Sequence, residues 1–500
     1  MINKLPIECL QKIFSEFSYR QIGENENSFI TLYSLALVSR YWCRIANAIL
    51  WRAPFSWLFE KREYWGRHYS LISIYFSCLS DESQTLLYEN GIPLTSALDI
   101  PPFFDYPTFL NILEYKCLYM AARNWLVKQL TDEFYEEAND NRLYLLVREL
   151  CKLFMSRCTI LENISFDDPD NNELKVDFVI NLPQLPGAEI TLKNLYSFGC
   201  VGCNEPEIMF GAANICKLIK VFYIDCCCTD NEGLATLIEN QKIPLEGIWF
   251  DFTGDYEEFE EFPRLRKALE NKGEYLKWLS IRCLNFPLDI LGSCTNLSEL
   301  WLNGNFDSAP ETLEKFVNFS FPNLKEIHIT LATVHIKQII TLINNSHKNI
   351  EFIEFLWRST LDFENFMNYT ETIINCCPRL TFYNGFFSAK KISYLPYIFK
   401  TCQRLTEFRI GWSLENNCDI SEVLIKLGKI VPKNLIRFSL PLNWECNIEA
   451  LESFLEDCAE QLKKPILIGI YRKTLEHSNL LDRYIKRNVI KDLLPELCPL

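Results

Sequence analysis

The residues of this chain best equipped for chemistry are its cysteines, 21 in 500 residues. Cys200 and Cys203 stand in a C-x-x-C spacing and Cys226, Cys227 and Cys228 are consecutive, and thiolates so placed are common ligands of structural zinc. No second C-x-x-C and no ordered histidine pair accompanies them. Neither His328 nor His335 lies in an H-E-x-x-H arrangement, which would set a carboxylate base beside metal ligands. The phosphate-cradling G-x-x-x-x-G-K-[ST] loop, the G-x-S-x-G elbow and the dinucleotide fingerprint are all missing. "DDPDNNE" (167 to 173) lacks the spaced glycine and closing glutamate of a calcium loop. No catalytic residue, metal or cofactor is assigned, and the chemistry that remains is recognition.

Recognition side chains concentrate in a recurring pattern, L-x-x-L-x-L with Ile, Val, Phe or Tyr allowed. Clear copies begin at 161, 245, 276, 297, 324, 350, 405 and 435, and weaker ones at 192, 218, 380 and 462. The period is about 27 residues, inside the leucine-rich-repeat range. Helical stretches such as "VHIKQIITLINN" and "NIEALESFLEDCAEQL" lie between copies, so each repeat reads as one short strand and one helix. Neither can bury its apolar face alone, and stacking them makes a curved array with strands inside. Cys294, Cys377 and Cys402 each stand three residues before the first leucine of a copy, where a small thiol fills a tight turn. Cys200 and Cys226 recur at another turn position, which favours packing over zinc.

In a strand the side chains alternate, so the residue between the second and third apolar positions is expected on the concave face. These residues are Ser165, Tyr196, Phe222, Trp249, Ser280, Trp301, His328, Glu354, Arg409 and Ser439, with Trp278 one step earlier in its strand sharing the face. Tyr196, Phe222, Trp249, Trp278, Trp301, His328 and Arg409 are the candidate substrate-binding residues, because clustered Trp and Tyr on a rigid surface are typical of binding hot spots. Two alternatives stay open: a loop or the C-terminal tail covers this face, or a register wrong by one residue sends these side chains into the core.

What positions such an array begins at the N-terminus. Leu10, Ile13, Phe14 and Phe17 recur at helical spacing behind Pro6, a residue suited to a first turn. After the polar stretch Ser18 to Ser28, Leu32, Leu35, Val38, Trp42, Ile45, Ala46 and Ile49 continue the helical period, with Ser39 a point where one helix becomes two. Three short helices cannot hide so much apolar surface, so either a partner or the following domain must cover it. Between this unit and the repeats, 52 to 158 reads as a helical bridge capping the first repeat.

The ordered residues Leu5-Pro6, Glu8, Leu10, Ile13-Phe14, Leu35 to Arg40, Trp42, Ile45-Ala46 and Leu50-Trp51 resemble the F-box pattern, with a longer connecting loop than the family's usual one. The repeats resemble the cysteine-containing leucine-rich repeats often joined to F-boxes. The resemblance implies an α/β protein with a helical F-box (1–51), a helical bridge (52–158), a leucine-rich-repeat solenoid (159–470) and a C-terminal cap or tail (471–500). It implies docking on a Skp-type adaptor, and through it a cullin–RING ligase, by Leu5, Pro6, Leu10, Ile13, Phe14, Leu37, Val38 and Trp42. The expected function is the non-catalytic substrate receptor of a ubiquitin ligase, binding a protein target on the array. A repeat scaffold without ligase role is the alternative, and a thiol or zinc enzyme the third reading.

Composition bounds the remaining classes. A formal net charge of −15 argues against a phosphate-binding surface, so no nucleic-acid partner is expected. Nowhere do 18 apolar residues run together, and the first residues form no signal-peptide core, so no membrane partner is expected and the chain reads as cytoplasmic or nuclear.

Overall fold

Two hydrogen bonds to one carbonyl mark the start of nearly every strand in the computed structural model. The structure describes residues 6–16, 26–55, 68–93, 102–130, 141–166, 179–202, 205–225, 229–251, 262–282, 288–304, 319–331, 336–357, 363–386, 389–412, 418–441, 444–469 and 474–494. They divide into two compact units, 1–245 and 246–500.

In the first unit, helices α1 (Ile7–Ser15), α2 (Glu26–Ala36) and α3 (Arg40–Leu50) enclose a small core of Leu10, Phe14, Leu32, Ile45 and Ala46. Ser39 does break the second helical run, its hydroxyl accepting from the Trp42 N–H at 3.2 Å as the N-cap of α3. Phe14 meets Trp42 edge to face at 5.2 Å. Helices α4 (His68–Ser77), α5 (Asp81–Glu89), α6 (Tyr115–Gln129) and α7 (Asn141–Arg157) follow, with Tyr75, Phe76, Trp125 and Phe154 fully buried among them. Two polar contacts cross this core: Trp125 Nε1 donates to Ser73 Oγ at 2.9 Å, and Ser83 Oγ donates to the buried Glu149 carboxylate at 2.6 Å.

Strands β1 (Ile112–Glu114), β2 (Asn163–Ser165), β3 (Ser197–Val201) and β4 (Val221–Asp225) of this unit pair in parallel and in chain order. Parallel neighbours need a crossover, supplied by α8 (Ala188–Thr191) and α9 (Pro206–Ile215) among other segments, and α10 (Glu232–Glu239) follows β4. The strand order thus begins at Ile112, inside the stretch expected to be a mainly helical bridge.

The second unit repeats the plan with β5 (Gly247–Asp251), β6 (Trp278–Arg282), β7 (Glu299–Gly304), β8 (Glu326–Leu331), β9 (Phe352–Trp357), β10 (Phe382–Phe386) and β11 (Glu407–Trp412). It continues with β12 (Cys418–Asp419), β13 (Arg437–Ser439), β14 (Trp444–Glu445), β15 (Ile466–Gly469) and β16 (Ile490–Leu493). All pair in parallel, in the order β5 to β11, then β13, β15 and β16, while β12 and β14 form a separate small pair. Helices α11 (Pro263–Glu270), α12 (Ile336–Asn344), α13 (Phe363–Cys376), α14 (Leu395–Thr401), α15 (Ser421–Gly428), α16 (Ile448–Gln461) and α17 (Leu475–Lys486) alternate with the strands. The mixed α/β fold of strand–helix repeats expected from the sequence is present, and it runs on through α17 and β16, beyond residue 470.

Each strand sends one side inward. Ile248, Leu279, Leu300, Ile327, Ile353, Tyr383, Phe408, Phe438 and Ile468 are all buried, and the helices close over them, as where Phe408 and Phe438 pack on Phe399 of α14 and Phe438 on Phe454 of α16. At the turns Cys294, Cys377 and Cys402 are buried as expected. Cys158 and Cys216 occupy the same place, three residues before Leu161 and Ile219. The Cys402 thiol donates to the Cys377 carbonyl at 3.2 Å, so that side chain also satisfies a turn.

Burial pushes the thiols of Cys158, Cys216, Cys294 and Cys402 up to about 12. At pH 8 they are almost wholly protonated, and the thiolate is the reactive form. Brief alkylation of the native protein at pH 8, mapped by peptide mass spectrometry, should label the exposed Cys9 and leave these four unmodified until denaturant is added.

Candidate partner-binding surfaces

The N-terminal helices divide their apolar residues between two destinations. Leu10 and Phe14 are 2% and 1% exposed, packed inside the three-helix core. In the chain itself these two expected adaptor contacts are not presented at the surface: the stripe on α1 looks inward, because α3 covers it. Leu37 and Val38, by contrast, are 72% and 59% exposed, held out by the turn between α2 and α3 where their N–H groups bond to Ser34 and Leu35 carbonyls. Ile13 and Pro6 are exposed as well, Trp42 is half-buried against Phe14, and Leu5 lies outside the described residues. Ile30 and Tyr33 are also exposed, though the sequence pattern did not single them out. A signal for them exists: Ile30, Tyr33 and Leu37 stand at i, i+3, i+7, a second apolar stripe on a helix whose other side carries Leu32 to the core.

On the repeats, pairing register decides which side chains leave the core. In the first unit Ile164, Phe198 and Phe222 are partners across β2 to β4 and all are buried, so Phe222 is a core residue and not a surface one. The copy at 218 begins one residue later than its leucine suggests, at Ile219, and Tyr223 takes the outward position. Tyr196 is exposed but precedes its strand; Gly199 holds the position it was expected to fill. Its ring lies 5.6 Å from the Lys220 ammonium.

In the second unit two outward rows are unambiguous. One runs Trp249, Ser280, Trp301, His328, Glu354, Asn384, Arg409, Ser439, each the register partner of the next. The other runs Gly247, Trp278, Glu299, Glu326, Phe352, Phe382, Glu407, Arg437. Trp278 lies flat over Gly247, where any Cβ would collide with the indole. Trp301 stacks on His328 at 3.5 Å and 3°, His328 leans on Phe352 at 4.6 Å, Phe352 stacks on Phe382 at 3.9 Å, and the Arg409 guanidinium stands 5.8 Å above Phe382. The stack runs across β7 to β11. It also buries His328 to 8% exposure, so that residue supports the surface more than it offers one.

Charge along the rows is uneven. Arg409 and Arg437 both reach the Glu407 carboxylate at 2.9 Å, which balances that end. Glu354 accepts from His328 Nδ1 at 3.2 Å and from Asn384 Nδ2 at 3.1 Å, and the imidazole contact above all holds its carboxyl below the usual range. Glu299 accepts from the Trp301 indole N–H. The described part of the C-terminal segment forms α17 and β16 at the end of the sheet, so it does not lie over these rows. Of the zinc candidates in the sequence, Cys200 is buried and Cys203 and Cys226 to Cys228 lie outside the described residues. No described helix is long and apolar enough to cross a membrane.

Comparison with known proteins agrees with the N-terminal geometry: residues 2–56 match the F-box-like family model. That segment is an F-box-like domain. No curated protein matches the chain. Among solved structures it is similar to a protein from Bacteroides fragilis, at 12% identity and a TM-score of 0.30, over 50% of this chain and 65% of that one. A likeness of that size carries no argument, and the chain spans about two-thirds of that protein's length.

The two destinations of the apolar residues separate by mutation. Phe14→Ala should destabilise the N-terminal helices by about 3–5 kcal/mol in urea denaturation, the loss typical of emptying a core aromatic site. Leu37→Asp, at an exposed position, should change stability by no more than about 0.5 kcal/mol.

Proposed function

We propose that this chain is a substrate-recognition subunit of a Skp–cullin–F-box ubiquitin ligase, with leucine-rich repeats as its target-binding part. The reading rests on Leu37 and Val38: in a segment matching the F-box-like model, two large apolar side chains stand in solvent at the turn between α2 and α3. Exposed apolar residues grouped on so small a unit mark a protein contact. Ile13, Ile30 and Tyr33 extend the apolar surface available on the same helices. A Skp-type adaptor is the partner that F-box segments generally take, and the adaptor joins them to a cullin.

The target's place is the outward face of the repeats, where Trp249, Trp278 and Trp301 supply rigid aromatic area and the neighbouring carboxylates favour a basic segment. The chain performs no bond-making step of its own. Holding a target lysine near a ubiquitin-charged enzyme raises its effective concentration, and the rate gain follows from that proximity.

The experiment is capture of purified Skp-type adaptor by the full-length chain. Wild type should bind, and Leu37→Asp/Val38→Asp, which leaves the helical core intact, should lose about tenfold or more in affinity. Failure of folded wild-type protein to bind the adaptor overturns the ligase reading and leaves a repeat scaffold in its place.

A further inference from the structure

One nitrogen in the second unit has no evident occupation. His328 is 8% exposed, and its Nε2 is buried without a hydrogen-bond partner among the described residues. A buried ring nitrogen left unpaired is costly and calls for an explanation. The other nitrogen answers part of it. Nδ1 lies 3.2 Å from one Glu354 oxygen, and Asn384 donates to the other oxygen of the same carboxylate, so Nδ1 is the ring nitrogen that donates. In the neutral ring the lone pair then sits on Nε2.

That lone pair is aimed at carboxylates. Glu326, two residues back on the same side of β8, places Oε2 3.7 Å from Nε2, too far for a hydrogen bond. Glu299 is the register partner of Glu326 on β7, and one donor atom from each of Glu299, Glu326 and His328 lies within 4.8 Å of the others. Among the described residues neither glutamate has a lysine or arginine partner, so the two carboxylates stand beside the imidazole with only the Trp301 indole N–H donating to Glu299. A separation of 3.7 Å is short enough for both donors to reach one shared ion by arms of about 2.0–2.2 Å.

We propose that Glu299, Glu326 and His328 form a binding site for a divalent transition-metal ion, of which zinc fits the donor set best. The cation fills the unpaired nitrogen and separates the two carboxylates in one step. One imidazole with two carboxylates suits zinc or manganese, and imidazole favours zinc of the two. Glu354 acts as the positioning residue, orienting the ring through Nδ1 as an outer carboxylate does for metal-binding histidines. The Trp301 and Phe352 rings hold the imidazole plane from either side. Three protein donors leave coordination positions open for water. The site stands on the repeats and is independent of adaptor docking.

The test uses the full-length protein, stripped with chelator and dialysed free of it, and titrated with zinc and separately with cobalt. Expected are about one equivalent bound through these residues, a cobalt spectrum of nitrogen and oxygen donors without thiolate charge transfer, and a perturbed His328 ring signal. Glu326→Gln and Glu299→Gln, at half-exposed positions that leave the fold intact by circular dichroism, should each weaken binding about tenfold or more, and Glu354→Gln about tenfold to a hundredfold. No stoichiometric binding overturns the proposal, as does binding that shows thiolate charge transfer or is unchanged in the folded Glu326→Gln and Glu299→Gln proteins.

Discussion

The repeats depend on one shared carbonyl per turn. Arg52 O accepts from Asn111 and Ile112, Asn111 O from Glu162 and Asn163, and Glu162 O from Tyr196 and Ser197. In the second unit Glu246, Lys277, Ser298, Lys325, Glu351, Thr381 and Thr406 carbonyls each take two N–H donors from the next repeat in the same way. A carbonyl has two lone pairs, and using both sets where each strand begins relative to its neighbour. Where the repeat offers a hydroxyl, it reinforces the step, as Thr406 Oγ1 does on Thr381 O at 3.0 Å. Every outward row of side chains inherits its alignment from this backbone rule.

The first rung of that ladder belongs to the N-terminal helices. Arg52 follows α3 directly, its carbonyl starts β1, and its guanidinium pairs with Glu162 at the head of β2. The F-box-like domain is thus joined to the first strands by backbone hydrogen bonds and an ion pair as well as by the chain. Its own core is five residues plus a few half-buried neighbours. A core that small cannot enclose every apolar residue of three helices, so α2 faces Leu32 inward and leaves Ile30 and Tyr33 out, with Leu37 exposed in the turn that follows.

Division of labour between the two sides of each strand explains the surface. The inner side is aliphatic and aromatic and is sealed by helices, while the outer side of β7 to β11 is an aromatic stack edged with glutamates. Stacking at 3.5–3.9 Å between rings on adjacent strands follows from their register, since partners in neighbouring strands sit close enough for flat rings to touch. The net charge of −15 shows here as local geometry: arginines neutralise Glu407, and the carboxylates of β7 and β8 go without a lysine or arginine partner among the described residues.

Much of this fold is legible in the amino-acid sequence. Alternation at Leu276, Leu279 and Ile281, or at Leu324, Ile327 and Ile329, states a half-buried strand unambiguously, and Ser39 announces a helix start. The copy at 218 misleads because "LIKVFYI" is apolar at nearly every position, so period two has no phase, and only pairing of Phe222 with Phe198 chooses it. The strands at 112 and 490 are hidden by being short and by lacking the full pattern. Local periodicity determined which segments are helices and strands and that the chain is built of strand–helix repeats, because that information lies within a few residues. Which of Leu10, Phe14, Leu37 and Val38 faces water, and that an imidazole on one strand meets carboxylates from it and its neighbours, was decided only by tertiary structure, since burial and side-chain encounters depend on residues distant along the chain.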